Sequence, residues 1–550
     1  MIKKIKNNFL IIIFLTIYLL IGLLSFKDYG VGIEEHFQRS SGMFWLDVLL
    51  RNSSLENLQN ILSLKLFEIK NFSPQLPSLE IANYYGVLFD LPMAFLEVVF
   101  DIQNSENYFF LRHFSNFFIF FLSGIFFYKI LFLRTSNTII SFLGTTLYLL
   151  APKAYGNSFF DGKDLFFLSI LTISFYYYFN YIIKDNFRSL LFLALFSAFA
   201  TSSRIFGLML PVCFICLFLL ELINIKDKNV IFKKLILYLF LYLIFLYLHW
   251  PYMWTFNFNN FISFFSAFKV HTNLKVFFNG DFYLSNYLPT SYLPKWIIIS
   301  TPIYYLFLFF IGFSFYIKRL FLRFSNIKKS SLNNDLWKGK NEKFDFILFI
   351  CFFQIIVVYL TLSPNLIKGW THFLFLNFFL IYFSVFTIYS FFIKNRKKKY
   401  LLRFFFSLFM LFSCELVYKL IKYHPYQSIF MNNFISKNTK KLYEVDYQSL
   451  SRVDAIKEII KDTNKEKIIV ATASWTPLKN GISLIPLDKR KQLSFTGTAK
   501  KEDSDYIYTN YFYDIDTRYN TKYEIPANFY LFKTLYIDDI KVYSIYKKSY

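Results

Sequence analysis

The stretch FLIIIFLTIYLLIGLLSF occupies residues 9–26 and decides the fold, because it carries no charged side chain. A helix needs roughly 20 apolar residues to cross the hydrocarbon core of a bilayer, and this stretch is close to that length. Comparable apolar runs recur along the 550 residues, of which 55% are hydrophobic and 77 are Phe. A soluble domain could not bury so much apolar surface. The sequence therefore predicts a mainly α-helical, polytopic transmembrane protein.

Positive charge is concentrated between the apolar runs. The formal net charge is +24, which could indicate nucleic acid or acidic lipid as a partner. Because the Lys and Arg clusters alternate with the runs, they are better explained as orientation signals in a membrane, and no nucleic-acid partner is predicted. Lys3, Lys4 and Lys6 precede the first run, so we expect a cytoplasmic N-terminus and an integral protein of the cell (inner or plasma) membrane surrounded by lipid.

The alternation of charge fits about eleven spans and places the C-terminus outside. The loop at 27–107 is then external, and the apolar spacing at 35–51 and 84–100 predicts two interfacial helices in it. The predicted spans are 9–26, 108–133, 137–151, 165–183, 189–203, 205–223, 232–250, 296–317, 344–362, 372–393 and 404–422.

The last part of the chain changes character. Residues 452–462 have helical spacing, and the segments that follow are rich in β-branched and aromatic residues. We therefore predict a transmembrane module at 1–423 and a small external α/β domain at 424–550. The expected strands are 467–473, 482–487, 506–511 and 536–546.

The loop directly after the first run, Asp28-Tyr-Gly-Val-Gly-Ile-Glu-Glu-His-Phe-Gln38, carries three acids and a histidine. Carboxylates at a membrane surface can deprotonate a hydroxyl or hold a cation. A single polar residue at a helix end often only extends its polar group to the membrane–water interface. In this chain several polar segments are predicted on the same face as the loop, and together they predict a site for a lipid phosphate and a polar acceptor. The segments on this face are 152–164, 201–204, 249–254, 368–372 and 424–427.

Two further features concern ionisable residues near the membrane. Arg112 and His113 fall about one turn inside a predicted span, where they need partners such as Asp28, Glu34 or Glu35. A divalent metal could be held by His249 with an external carboxylate, but so few candidate ligands are a weak signal, and we infer no metal or other cofactor.

Several short motifs together resemble polytopic glycosyltransferases of the GT-C class, in the group of the protein O-mannosyltransferases and aminoarabinose transferases. The acidic pair of that group's first external loop is matched by Glu34 and Glu35 in Gly32-Ile-Glu-Glu-His-Phe-Gln38. Leu111-Arg-His-Phe-Ser115 is similar to the start of the second span, and Asn157-Ser-Phe-Phe-Asp-Gly-Lys-Asp164 to a Phe-Asn-Pro-Lys-Asp segment. The sequence departs from the group's pattern in having Glu at 34, Asp161-Gly162 and Thr371. Further similar segments are 200–207, 250–254, 369–372 and 424–427.

The resemblance implies transfer of a sugar, with inversion, from a polyprenyl-phosphate carrier to an acceptor on the external face. The acceptor could be a protein, a lipid or a glycan of the cell envelope. In this scheme Glu34, paired with Glu35, takes the proton of the acceptor hydroxyl, while cations stabilise the departing phosphate. The residues expected to bind the donor phosphate or the substrate are Arg112, Lys163, Asp164, Arg204, His249, Lys368 and His372.

Two other functions are compatible with a polytopic chain. A transporter or flippase of a lipid-linked sugar should have inverted repeats with broken helices near mid-membrane, and no such repeat is evident. A non-catalytic membrane scaffold would leave Arg112 and the acidic loop without a role.

Overall fold

The computed structural model describes residues 2–51, 53–72, 86–222, 228–255, 259, 274–325 and 336–549. The chain is mainly helical, with a small sheet near its C-terminus, as expected. The first two residues of the predicted interfacial helix 84–100 lie outside the described residues. The α-helices of six or more residues are α1 Ile2–Ser25, α2 Glu35–Leu50, α3 Glu56–Phe72, α4 Asp90–Val99, α5 Ser105–Thr135, α6 Thr138–Leu149, α7 Pro152–Asn157, α8 Asp164–Lys184, α9 Phe187–Ser203, α10 Met209–Leu222, α11 Lys228–His249, α12 Tyr292–Ser300, α13 Ile303–Ser325, α14 Gly339–Leu362, α15 Leu376–Lys394, α16 Lys399–Lys422 and α17 Ser451–Asp462.

Helices occupy all the predicted spans. Among the described residues, eight helices are long and apolar enough to cross a membrane, and three shorter apolar helices fill the remaining predicted spans. Asparagines begin several of them: Asn104 accepts the N–H of Glu106 before α5, and Asn137 accepts that of Ile139 before α6. These side chains satisfy amide groups that the first helical turn leaves without partners.

The predicted span 296–317 is wrong in its boundaries. It consists of two helices, α12 and α13, which are separated at Thr301-Pro302. Thr301 is extended, with φ −105° and ψ 137°, because a residue before proline disfavours the helical conformation. Proline also lacks the N–H that would continue the helix.

Charged side chains lie near both ends of α5. Close to its C-terminus, Arg134 donates to the fully buried Asp345 at 2.7 and 2.8 Å, and Arg319 donates to the same carboxylate at 2.7 Å. Close to its N-terminus, Arg112 pairs with Asp90. The 22 residues from Arg112 to Arg134 span about 33 Å of helix, which is near the thickness of a bilayer core.

The loop between α1 and α5 forms a small helical layer in front of α5. Residues Met43, Leu46, Leu62 and Val98 of α2, α3 and α4 pack into a separate apolar cluster. Helix α2 matches the predicted helix 35–51, α4 is shorter than the predicted 84–100, and α3 lies where no element was expected. The layer fixes the direction of α2, and Glu34 immediately precedes that helix.

A buried ion pair holds α2 against α4. The guanidinium of Arg39 donates to Glu97 at 2.6 Å and lies 3.7 Å from the centre of the Tyr108 ring. Both charged side chains are at most 5% exposed. Burying a charge costs much free energy unless its partner is present.

Arg39→Ala is expected to lower the free energy of unfolding by about 3–5 kcal/mol, because it leaves the buried Glu97 carboxylate without its main cation. The measurement is unfolding in mixed micelles. Arg51→Ala is the matched control: Arg51 pairs with Asp47 on the same helix but is 65% exposed, so the expected loss is at most about 1 kcal/mol. Equal effects of the two substitutions would contradict this account.

The C-terminal sheet has five strands. Its order is β4-β3-β5-β7-β6, with β3 parallel to β4 and β5, and β7 antiparallel to β5 and β6. Helix α17 confirms the predicted helix at 452–462. A separate two-stranded hairpin, β1–β2, precedes α12. The strands are β1 Lys275–Phe278, β2 Asp281–Leu284, β3 Ile468–Thr472, β4 Leu493–Gly497, β5 Tyr506–Thr509, β6 Phe529–Ile537 and β7 Ile540–Lys548.

Two of the predicted strands differ from the structure. The first half of the segment 482–487 is the end of a 3-10 helix, Leu478–Leu484, which packs against α17 and does not join the sheet. The segment 536–546 spans the turn of a hairpin, because Asp538 and Asp539 both have positive φ, at 45° and 65°. Consecutive residues with positive φ are typical of tight hairpin turns. The proposed boundary between 423 and 424 stays a prediction.

Candidate functional site

The centre of the candidate site is an ion pair between Glu34 and Lys368. Glu34 ends the turn that precedes α2, and its side chain is 33% exposed. Lys368 lies on a turn between α14 and α15, is almost fully buried, and directs its ammonium at the Glu34 carboxylate. The pair joins residues 334 positions apart in sequence.

A second ion pair lies beside the first. Arg204, at the C-terminal end of α9, contacts the carboxylate of Asp164 at the start of α8. The start of α8 is held by Asp161, whose Oδ1 accepts the backbone N–H of Asp164 at 2.8 Å and of Lys163 at 3.2 Å. This capping places Lys163 and Asp164 at a helix N-terminus, where the helix dipole favours an anion.

Electrostatics join these side chains into one cluster. Burial by itself would raise the pKa of Glu34, but Lys368, Lys163 and Arg204 outweigh it and hold the pKa well below its ordinary value. The carboxylate of Glu34 is therefore ionised at neutral pH. The three cations lie around Glu34 and Asp164, and such a concentration of positive charge suits a phosphate.

His372 faces the same cluster. Burial, followed by the positive charges of Arg204 and Lys368, holds its pKa well below the ordinary value. The ring is therefore neutral at neutral pH. Its buried Nδ1 has no hydrogen-bond partner within the part of the chain that the structure describes, which leaves it available to a bound substrate.

Glu35 is bonded differently from its neighbour. Its carboxylate is 2% exposed, accepts the N–H of Gly32 at 2.7 Å and lies 3.2 Å from Nε2 of His113. Glu35 thus closes the turn that presents Glu34, and it supplies the partner that His113 was expected to need. In this geometry Glu35 anchors the loop, whereas Glu34 faces the cations.

The prediction of the acidic partner of Arg112 is wrong. Asp28, Glu34 and Glu35 were the candidates, but Arg112 donates to Asp90 at 2.5 Å and to Gln38 at 3.4 Å. Asp90 begins α4, which folds back over α5 through contacts that the sequence does not reveal. Asp28 instead pairs with His424 at 2.9 Å.

A pocket opens next to the Arg112–Asp90 pair and connects it with the cluster. Lys163 lines the pocket and also faces Glu34. The pocket lining combines aromatic rings with polar side chains. The pocket is lined by Phe37, Gln38, Ser41, Gly86, Leu88, Phe89, Asp90, Gly162, Lys163, Phe166 and Ser203.

The structure does not bring His249 to the cluster. It is the last residue of α11, its Nδ1 bonds the carbonyl of Phe245 one turn earlier at 2.7 Å, and its ring packs on Phe199. The described residues contain no group of three or more His, Cys, Asp or Glu side chains that could hold a metal ion.

The loop that follows α1 contacts the C-terminal region through several hydrogen bonds. Arg452 is fully buried and donates to the carbonyl of Val31 at 2.8 Å. Tyr29 donates to Gln427 at 2.9 Å, and His36 contacts the carbonyl of Asn480 at 3.1 Å. The C-terminal region therefore helps to hold the loop that carries Glu34.

Asp161 should make stability depend on pH. Burial, and after it the Asp164 carboxylate, raise the pKa of Asp161 from 3.8 to about 8. The folded protein thus holds this proton more tightly than the unfolded chain, and its contribution to stability falls as the pH rises from 3.8 to about 8.

Asp161→Asn keeps an oxygen to cap α8 but cannot ionise. The thermal midpoint of the variant should therefore fall less than that of the wild type between pH 5 and 8, a window set by the two pKa values; parallel declines would contradict the assignment.

The likenesses of this chain to known proteins lie among solved structures. No protein-family profile and no curated protein matches it. The oligosaccharyltransferase of Archaeoglobus fulgidus in the apo form is similar with a TM-score of 0.47 and 10% identity, covering 90% of this chain and 69% of that one. The archaeal oligosaccharyltransferase AglB from the same organism, in complex with an inhibitory peptide and a dolichol-phosphate, gives 0.40 and 10%, covering 78% and 61%. Neither likeness shows which reaction this chain carries out, and the resemblance to protein O-mannosyltransferases stays a prediction.

Proposed function

We propose that this protein is a membrane glycosyltransferase of the GT-C class. It moves a sugar, with inversion, from a polyprenyl-phosphate donor to an acceptor on the external face of the membrane. The observation that carries the proposal is the Glu34 carboxylate set among Lys163, Arg204 and Lys368 at the ends of apolar helices. This arrangement combines a base with cations for a phosphate, at the level where a lipid-linked donor would present its head group.

The reaction needs one proton acceptor and one stabilised leaving group. The acceptor oxygen attacks the anomeric carbon from the face opposite the phosphate, the bond between that carbon and the phosphate oxygen breaks, and the phosphate leaves with the electron pair. Glu34 receives the proton of the acceptor hydroxyl. Lys163, Arg204 and Lys368 stabilise the negative charge that develops on the polyprenyl phosphate.

Donor binding should also activate the base. In the free protein Lys368 neutralises Glu34, which makes this carboxylate a weak proton acceptor. A donor phosphate competes for the same ammonium, and its negative charge raises the proton affinity of Glu34. The base would thus gain strength only when the donor is present, which limits unproductive reaction with water.

The opposite ends of α5 support a site at one membrane surface. The Arg112–Asp90 pair lies near one end and the buried Asp345 with Arg134 near the other, with a mostly apolar helix between. A transporter or flippase of the lipid-linked sugar should instead carry its polar groups near mid-depth. Following the charge pattern, we assign the Glu34 end to the outside and the N-terminus to the cytoplasm.

Mass spectrometry of cell-envelope lipids and glycans, with and without the gene, tests this function and identifies the acceptor. We expect one sugar modification to disappear and the corresponding polyprenyl-phosphate sugar to accumulate. The gene carrying Glu34→Gln should not restore the modification, although the variant protein is present in the membrane. Unchanged lipids and glycans after removal of the gene would contradict the proposal.

A further inference from the structure

We propose that Glu444 is a positioning residue that holds the Lys368 turn in place for the donor phosphate. The inference rests on the proposed function, since it assigns Lys368 to phosphate binding. Glu444 follows the last predicted membrane helix and was not among the expected site residues. It gives the C-terminal region a direct part in assembling the site.

The turn that carries Lys368 has an unusual backbone. Lys368 and Gly369 both have positive φ, at 63° and 64°, a region that residues with a side chain rarely adopt. Such a conformation persists only where the surroundings impose it. On one side the turn is covered by Trp296, whose indole atoms lie 3.5 Å from the place of a Cβ on Gly369.

Glu444 supplies the polar support of the turn. Its carboxylate is 3% exposed and accepts the backbone N–H of Gly369 at 3.2 Å. The amides of Lys368 and Phe277 face the same carboxylate. One side chain thus fixes consecutive peptide groups of the turn, and the Lys368 ammonium points to Glu34 as a result.

Lys153 lies near this buried carboxyl group. It is 3% exposed, and its ammonium lies over the rings of Trp296 and Tyr447, at 4.9 and 5.3 Å from their centres. Burial raises the pKa of Glu444 to about 8, while Lys153 and the backbone amides oppose the rise. Lys153 belongs to α7, which directly precedes the segment that carries Lys163. The residue that lies near Glu444 and a cation of the site therefore belong to the same part of the fold.

The two halves of the central ion pair are therefore held by neighbouring residues of one segment. Glu444 fixes the turn of Lys368, and Arg452 fixes the loop of Glu34 through the carbonyl of Val31. The distance between base and phosphate-binding cation then depends on the docked C-terminal region.

The test is binding of undecaprenyl phosphate to the purified full-length protein in nanodiscs, together with KM and kcat for the sugar-linked donor. Glu444→Ala should weaken binding about tenfold and raise KM by a similar factor with little change in kcat, because a misplaced Lys368 loses a charge-assisted contact. Glu444→Gln retains an oxygen that can accept the Gly369 N–H, so it should bind within about threefold of the wild type. If Glu444→Ala does not fold, Glu444→Asp, whose carboxylate is one methylene shorter, should show an intermediate loss.

Asp446→Asn is the matched control. Asp446 is a buried acid two positions away, but it accepts the N–H of Leu450 at 2.9 Å and holds a turn of the C-terminal region itself. This variant should lose stability to a degree similar to Glu444→Ala, because it also alters a buried acid, but it should leave donor affinity unchanged. Wild-type affinity in a folded Glu444→Ala protein, or an equal loss in Asp446→Asn, would overturn the positioning role. Lys368→Gln separates the two hypotheses. If this variant binds the donor as tightly as the wild type, the phosphate-binding role of Lys368 in the proposed function is wrong. If Lys368→Gln loses affinity but Glu444→Ala does not, only the positioning role of Glu444 is wrong.

Discussion

Glu34→Gln is expected to lower the rate of sugar transfer by about a thousandfold, because a positioned general base contributes roughly 10²–10⁴ to rate and an amide cannot take the proton. The fold should be kept, since Glu34 is partly exposed and glutamine has the same shape. Donor binding should be kept or tightened, because Lys368 loses a competing carboxylate. The measurement is initial rate with saturating donor, together with donor affinity.

Two acids of the same loop serve as controls for Glu34. Asp28→Asn removes an exposed partner of His424 and should leave transfer within a fewfold of the wild type. Glu35→Gln should lower stability, because Glu35 is buried against Gly32 and His113, while the folded fraction retains activity. Full activity of Glu34→Gln with an inactive Glu35→Gln would move the base by one residue. Full activity of both variants would contradict the mechanism.

Arg204→Ala is expected to lower kcat/KM by about a hundredfold, because it removes a cation that stabilises the departing phosphate. Arg204→Lys keeps the charge but not the planar fork of donors, so it should recover only part of this loss. Arg188→Gln changes the arginine at the opposite end of α9, which lies over Phe192, and should have no effect on transfer. Equal rates for Arg204→Ala and the wild type would exclude Arg204 from the reaction.

A second substitution separates chemistry from stability at Arg204. The single change also leaves the buried Asp164 carboxylate without its cation, so part of the loss could come from unfolding. Adding Asp164→Asn removes that charge and should restore the thermal midpoint. Activity should stay low in the double variant. Recovery of both stability and activity would show that Arg204 only balances Asp164.

The helical architecture could be predicted because it depends on local composition. Charge-free runs such as 9–26 indicate the helices, and the alternation of basic loops constrains their number. The prediction of a single span failed at Thr301-Pro302. The hydrophobic pattern continues through the proline, but the backbone cannot continue the helix there. Likewise, the composition of the apolar segment 482–487 is typical of a strand, but packing against α17 favours a 3-10 helix in its first half.

The candidate site was predictable where side chains stand in recognisable motifs at helix ends. Glu34, Lys163, Asp164, Arg204, Lys368 and His372 all belong to such segments, and the structure brings these six together. The partner of Arg112 was not predictable, because Asp90 reaches it only through the packing of α4 on α5. Glu444 was also missed: it is 75 residues from Gly369, and nothing in its neighbourhood marks it.

The most direct test of the central claim is the release of free polyprenyl phosphate by the purified protein in nanodiscs, supplied with a polyprenyl-phosphate sugar and an acceptor from the envelope fraction. Polyprenyl phosphate and glycosylated acceptor should appear in equal amounts, and the new linkage should have the inverted anomeric configuration. Glu34→Gln should produce neither product. Movement of intact polyprenyl-phosphate sugar across the bilayer without release of polyprenyl phosphate would contradict it and favour a flippase.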